Sequence, residues 1–141
     1  MKKKKKALKK VAKKKSAPKK KWENYHHNPH ATEAQLVGPL NEDLKDAWEK
    51  IRAFGVELGY PRIYASHNSI MFSKKICSFF VRPKKTFLEV WIFLPRKVEG
   101  LKSMKGAKKM EKYSNLFKLV HADQVEEPLT DWLRESFEFT P

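Results

Sequence analysis

The sequence predicts a small α+β domain, with an antiparallel sheet of about four strands, behind a lysine-rich tail. Within residues 41–141, apolar residues recur at three- and four-residue steps near both ends, which is typical of amphipathic helices. Between these ends lie apolar and aromatic runs separated by Lys- and Pro-containing turns, which is typical of strands. The order helix, three strands, basic connection, strand and helix indicates the α+β class.

The first helix is predicted within NEDLKDAWEKIRAFGVELGYP, residues 41–61. Asn41 is a suitable N-cap, and Gly59 with Pro61 predicts the end of the helix. One apolar stripe follows the helical repeat and is formed by Leu44, Trp48, Ile51, Phe54 or Gly55, and Leu58.

The strands are predicted in residues 62–73, 76–82, 87–95 and 116–120, with turns at Lys74–Lys75 and at 83–86. In the third strand, alternation places Leu88, Val90, Ile92 and Leu94 on one face, and Phe87, Glu89, Trp91 and Phe93 on the other. Such a strand is covered on both sides or displays aromatic rings to a ligand, and we expect coverage.

The segment 100–115 is basic and reads as a weak helix or a long loop. Asp123 and Glu126 form a capping-box pattern that predicts the start of the last helix, with Pro128 in its first turns. The apolar stripe of this helix comprises Val125, Leu129, Trp132, Leu133 and Phe137.

The N-terminus differs from the rest of the chain. Residues 1–21 contain thirteen lysines and no acid, and such a segment cannot bury enough apolar surface to fold alone. We therefore expect a disordered tail over 1–21, a linker over 22–40 and a folded domain over 41–141.

The net charge of +15 belongs mostly to the tail, because residues 22–141 hold 18 basic side chains against 16 acidic ones. Within that part, residues 62–118 have 14 basic and 3 acidic side chains, and both flanking segments are acidic. Two interpretations stay open. Acidic helices lie over a basic sheet and compensate its charge, or the domain presents one basic face to a polyanion.

Lysines on a flexible chain neutralise phosphates without reading bases, so the tail predicts nucleic acid as a partner. Its composition is similar to that of linker-histone-like tails. The alternatives are a solubility or localisation tail and an anionic membrane surface, the latter without a lipidation motif or an amphipathic face. The candidate phosphate contacts in the tail are Lys9, Lys10, Lys13, Lys14, Lys15, Lys19, Lys20 and Lys21.

The domain offers further candidates at its predicted turns and strand ends. Tyr64, Phe79, Trp91 or Phe93 could stack on bases if exposed, although such aromatics more often form the core. The basic candidates are Lys74, Lys75, Arg82, Lys84, Lys85, Arg96 and Lys97.

No sequence motif indicates a particular enzymatic reaction. Cys77, the one cysteine, lies in an apolar run that favours a buried role. His26, His27 and His30 lie in the linker without ligand-spaced acids, and strand alternation would separate Ser66 from His67. We expect no metal, no cofactor, no membrane span and a cytoplasmic location, with association with the nucleoid left open. An enzyme would need a site assembled from distant residues.

The segments RIYASHNSIMFSKKICSFFVRPKKTFLEVWIFLPRK and FKLVHADQVEEPLTDWLRESFEF carry a family resemblance. They resemble a bacterial domain family of unknown function, some members of which are labelled predicted transport proteins. The resemblance covers roughly residues 41–139, implies a compact α+β domain and supplies no catalytic residues to carry over.

The sequence therefore predicts a non-catalytic nucleic-acid-binding protein in which the tail supplies sequence-independent affinity. The alternative is a domain that binds a protein or a small ligand, with the tail serving only localisation or solubility. Basic turns beside exposed aromatics would favour the first function, and an apolar pocket away from the lysines would favour the second.

Overall fold

The computed structural model describes residues 31–105 and 112–141. The predicted tail and residues 22–30 of the predicted linker lie outside this range. Six strands form one antiparallel sheet in the order β1-β2-β3-β4-β6-β5. The strands are β1 (Arg62–Ser66), β2 (Ser69–Ser73), β3 (Cys77–Pro83), β4 (Leu88–Leu94), β5 (Lys102–Lys105) and β6 (Tyr113–Leu119). The α+β class is confirmed, but the sheet has six strands instead of about four.

Within the described residues, three α-helices accompany the sheet: α1 (Glu33–Val37), α2 (Glu42–Leu58) and α3 (Leu129–Phe139). Helices α2 and α3 cover one face of the sheet. Their buried side chains, among them Trp48, Ile51 and Leu133, form one core with the inward-facing residues of the strands. These inward-facing residues are fully buried: Ile70, Phe72, Phe79, Val81, Leu88, Val90, Ile92 and Leu94.

Helix α2 follows the prediction closely. The Asn41 side chain caps it by accepting a hydrogen bond from the Leu44 amide at 2.9 Å. Gly59 ends it in the left-handed conformation, at φ 100°, which glycine adopts without steric cost. Of the two candidates for the stripe, Gly55 is buried and Phe54 is half-buried.

The ordered fold begins before Asn41, so the prediction that residues 31–40 belong to the linker is wrong. Thr32 and Gln35 form a capping box at the start of α1. Glu33 then joins α1 to α2 because its carboxylate accepts hydrogen bonds from Trp48 Nε1 at 3.2 Å and Arg52 Nε at 2.8 Å. Short helices of this kind depend on such tertiary contacts more than on local pattern.

The predicted single strand over residues 62–73 is a hairpin. Strands β1 and β2 pair with Ser66 opposite Ser69, and His67 with Asn68 forms the turn between them. His67 has a φ of 59°, a left-handed conformation that is uncommon for a residue other than glycine. No Gly or Pro marks this turn in the sequence, so residues 62–73 read as one continuous strand.

Two further corrections concern the C-terminal half. The basic connection contains an edge strand, β5, which pairs with β6. The last helix begins at Leu129 and not at the predicted capping box. His121 caps a short 3-10 turn over Ala122–Gln124 instead. Pro128 explains the delay, because a proline disfavours helical conformation in the residue before it.

Gly55 provides a test of the α2 contact with the sheet. A Cβ atom at this position would lie 2.5 and 2.6 Å from two ring carbons of Phe72, which is fully buried. We expect Gly55→Ala to lower the free energy of unfolding by about 1–2 kcal/mol, since overpacking outweighs the helical preference of alanine. Urea unfolding measures this change. Val56→Ala, at an exposed position of the same helix, is the control and should change it by less than about 0.5 kcal/mol. A Gly55→Ala protein as stable as the parent would contradict the packing.

Tyr60 predicts a pH dependence of stability. Its ring lies among Phe72, Phe79 and Phe137, and burial raises the pKa of its hydroxyl well above the ordinary value. Above a pH of about 10 the unfolded Tyr60 ionises while the folded one keeps its proton, so the free energy of unfolding falls as the pH rises. Tyr60→Phe should reduce this slope in unfolding curves measured across that range. Tyr64→Phe, at an exposed position, should retain the parent slope. Equal slopes in all three proteins would overturn the prediction.

Candidate nucleic-acid interface

The face of the sheet opposite α2 and α3 carries an apolar stripe that crosses five of the six strands and ends at a lysine on the sixth. The strand register aligns one side chain from each strand in this stripe. In spatial order these are Tyr64, Met71, Phe80, Trp91, Leu116 and, at the far edge, Lys102. We call this side of the sheet the open face, because no helix in the described part of the chain covers it.

The aromatic rings at the centre of the open face lie close to one another. The Phe80 and Trp91 ring centroids are 6.3 Å apart and their planes differ by 24°. Phe93 lies beside them, with its centroid 6.0 Å from that of Phe80. Trp91 Nε1 donates a hydrogen bond to Glu89 Oε1 at 3.2 Å, which fixes the orientation of the indole. The three rings are half-buried, and Tyr64 at the sheet edge is 40% exposed.

Cationic side chains surround these rings. The Arg82 guanidinium lies 5.5 Å from the Phe80 ring centroid, and Arg82 Nε donates a hydrogen bond to Ser69 Oγ. Lys112 Nζ lies 4.2 Å from the ring centroid of Phe93. Similar cation–ring contacts join Arg62 to Tyr64 at 5.4 Å and Lys118 to Phe87 at 5.1 Å. Glu89 is the single acid that strand alternation places on this face within the described residues.

The acids of the domain lie on the other side. Among the described residues, every Asp and Glu except Glu89 and Glu99 lies on α1, α2, α3, the 3-10 turn or the segment that joins this turn to α3. The two faces of the domain therefore differ in charge. Acidic helices do lie over a basic sheet, as the first interpretation of the charge pattern states. Five basic side chains nevertheless remain on the face that these helices leave uncovered: Arg62, Arg82, Lys102, Lys112 and Lys118.

The seven predicted basic candidates do not gather at one place. The β2–β3 turn brings Lys74 and Lys75 to the same end of the sheet as Arg96 and Lys97, which follow β4. The β3–β4 turn places Lys84 and Lys85 at the opposite end. Arg82 alone of the seven lies on the open face, and the turns do not converge as the sequence suggested.

Two of these cations form side-chain hydrogen bonds with helix α3. Lys74 Nζ donates a hydrogen bond to the Phe137 carbonyl at 2.7 Å near the C-terminus of α3, where a cation is favourable. Arg96 forms two hydrogen bonds with Glu135, at 2.7 and 3.1 Å, and this pairing raises the pKa of Arg96. Lys97 lies 5.8 Å from the Tyr113 ring centroid. Lys75, Lys84 and Lys85 are exposed.

The aromatic candidates separate by strand alternation. Phe79 is fully buried and stacks on Phe72 at 4.3 Å, so its proposed stacking role is wrong. Its neighbour Phe80 takes the place on the open face and was not recognised in the sequence. Tyr64, Trp91 and Phe93 lie on the open face as that hypothesis requires. Strand alternation was the sequence signal for this difference, because adjacent residues of a strand lie on opposite faces of the sheet. In β3 it separates Phe79, which pairs with Ile92, from Phe80, which pairs with Trp91.

In the part of the chain that the structure describes, the remaining reactive side chains form no recognisable catalytic group. Ser66 Oγ lies 3.0 Å from His67 Nδ1, so the turn brings together two residues that strand alternation would have separated. Burial raises the pKa of the Cys77 thiol, which makes it a poor nucleophile at neutral pH. Residues 31–105 and 112–141 contain no group of three or more His, Cys, Asp or Glu suited to a metal ion. His26, His27 and His30 and the eight tail lysines lie outside these ranges.

A cleft of about 580 Å³ lies at the β3–β4 end of the sheet. Lys84 and Lys85 border it together with Leu36, Pro39 and Leu40 from the segment around α1. Among the described helices, none combines the length and hydrophobicity required to cross a membrane.

The chain matches the family model described as Domain of unknown function (DUF5655) over residues 32–140. No curated protein and no solved structure matches it. The match begins at the N-cap of α1 and includes all the strands, so it contains the whole open face. It confirms the expectation of a family of unknown function, and its description names no transport activity. The domain that carries the open face thus belongs to the DUF5655 family.

Proposed function

We propose that this protein binds nucleic acid and is not an enzyme. Lysines of residues 1–21 contact phosphates without reading sequence, and the α+β domain supplies a second contact through its open face. The location that suits this function is the cytoplasm, in association with the nucleoid.

The observation that carries the proposal is the charge difference between the two faces of the domain. Arg62, Arg82, Lys102, Lys112 and Lys118 lie on the open side against Glu89 alone, whereas acids dominate the helical side. A polyanion is attracted to the open face and repelled by the helices, so the domain approaches it in one orientation. The cations also lie beside rings that are accessible to a ligand.

The tail supports the proposal by a separate route. Each lysine that neutralises a phosphate releases a condensed counterion, and this entropy gain needs no folded structure. Such binding is strong at low salt and weakens steeply as salt is added.

A second candidate function rests on the cleft beside Lys84 and Lys85, although this cleft is not the pocket away from the lysines that the sequence analysis required. Its apolar wall and two exposed lysines suit a small ligand or a peptide with an acidic group. In that case the tail would serve only localisation or solubility.

The tail contribution is tested in the full chain by replacing the eight candidate tail lysines with glutamine. We expect the slope of log K against log salt for duplex DNA to become less negative by about 7, because about eight phosphate contacts are lost. Fluorescence anisotropy over a salt series measures this slope. An unchanged slope would show that these lysines do not contact the phosphates.

The domain contribution is tested with a matched pair of exposed lysines. Lys118 lies on the open face, and Lys50 lies on helix α2 on the other side. We expect Lys118→Gln to reduce the magnitude of the salt slope for single-stranded DNA by about 1 and Lys50→Gln to leave it unchanged. The same anisotropy assay applies. Equal effects of the two substitutions would remove the open face from the proposed interface.

A further inference from the structure

We infer that the open face is a binding surface for single-stranded nucleic acid, on which unpaired bases stack against Phe80 and Trp91. This inference rests on the proposed function and specifies its ligand. Unpaired bases on a phosphate backbone are the chemistry that this face recognises, and DNA and RNA share it.

The ring geometry supports base stacking. Phe80 and Trp91 lie side by side on neighbouring strands, with their planes only 24° apart, and thus form one nearly continuous platform. Tyr64 extends the stripe toward the β1 edge, where it is 40% exposed. Every base has a flat aromatic surface, so a row of such rings binds single strands with little sequence preference.

The cations around the platform suit the phosphates that join stacked bases. Arg82 and Lys118 flank Glu89 in the row of side chains next to the stripe, toward the β3–β4 turn, so this row keeps one net positive charge. Arg62 and Lys112 lie toward the other end of the strands, beside Tyr64 and Phe93. A nucleic-acid strand bound along the stripe therefore has positively charged side chains on both sides. Arginine guanidinium planes can also stack on bases.

The shape of the open face disfavours a duplex. A six-stranded sheet extends about 24 Å from its first to its last strand, because neighbouring strands lie about 4.8 Å apart. The major groove is about 12 Å wide and admits a helix or a two-stranded ribbon. The open face cannot enter this groove, and the bases of a duplex are already stacked inside the helix. A duplex is therefore contacted by the tail, and only through its phosphates.

Charge also distinguishes this ligand from other occupants of an apolar sheet face. A second copy of the chain would bring five cations against five cations, with one acid on each side. The tail of the same chain carries thirteen lysines and no acid, so it too has the charge of the open face. Like charges oppose both arrangements, and a polyanion complements the face.

The experiment measures the affinity of the full chain for three nucleic-acid probes at one salt concentration. The first is an oligothymidylate of about twelve nucleotides, which suits the size of a single-strand site. The second has the same backbone and phosphates without bases, and the third is a duplex of equal length. A uridine oligonucleotide repeats the first measurement for RNA. We expect tighter binding of the oligothymidylate than of the abasic strand, which separates base stacking from phosphate contacts.

Two substitutions at Trp91 separate stacking from packing. Trp91→Leu removes the flat ring and keeps an apolar side chain, and we expect it to weaken oligothymidylate binding by about 5- to 100-fold. Trp91→Phe keeps an aromatic ring and should retain most of the affinity. Neither substitution should change duplex binding. Thermal unfolding checks that both variants fold. If Trp91→Leu does not fold, Tyr64→Ser at the exposed edge of the stripe replaces it and should also weaken oligothymidylate binding.

The outcomes distinguish the inference from the proposed function. If the parent protein binds the abasic strand and the oligothymidylate equally, the stacking surface is refuted and phosphate binding stands. If it binds none of the probes at moderate salt, the proposed function also fails. If sedimentation shows a dimer that Trp91→Leu dissociates, the open face joins two copies of the chain, and the inference is wrong.

Discussion

The Phe72 ring fills the space that Gly55 leaves on helix α2, and this contact docks the helix against the sheet. Phe72 also stacks on Phe79 and meets the edge of Trp48, so strands β2 and β3 and helix α2 share one aromatic core. Helix α3 packs on the same face, where the single Ser136 hydroxyl proton is shared between a carbonyl of β3 and a carbonyl of β4. Since both helices use one face, alternate side chains of every strand lie on the other. The open face is thus a direct consequence of where the core lies.

Elements that depend on their own sequence were predictable, whereas elements that depend on distant contacts were not. Helix α2 carries its cap, its stripe and its C-terminal glycine within its own residues. The β1–β2 turn has neither Gly nor Pro, and His67 adopts a left-handed conformation without a sequence signal. Strand β5 has the sequence KSMK and no apolar run. Its support comes from pairing with β6 and from the buried Asn115, whose Oδ1 accepts hydrogen bonds from the Ser103 hydroxyl of β5 and from the Val98 amide.

The candidate site shows the same limit. The sequence identified Tyr64, Trp91 and Phe93 as rings that could stack, but their exposure depends on which face the helices cover. Phe79 and Phe80 are adjacent and similar, and only the pairing of β3 with β4 assigns one to the core and the other to the open face. The basic turns were expected to lie together, since the sequence alone does not show at which end of the sheet each turn lies. The structure divides them between both ends and leaves Arg82 among the rings.

The account combines two kinds of contact: tail lysines that need no fold, and a platform that exists only because the sheet has one uncovered face. Nuclear magnetic resonance of the ¹⁵N-labelled full chain, titrated with an oligothymidylate, tests this claim most directly. The account predicts that the Trp91 indole and the amides of Tyr64 and Phe80 shift, while those of Phe54 and Arg134 on the helical side do not. Shifts confined to α2 and α3, or to residues 1–21, would contradict it.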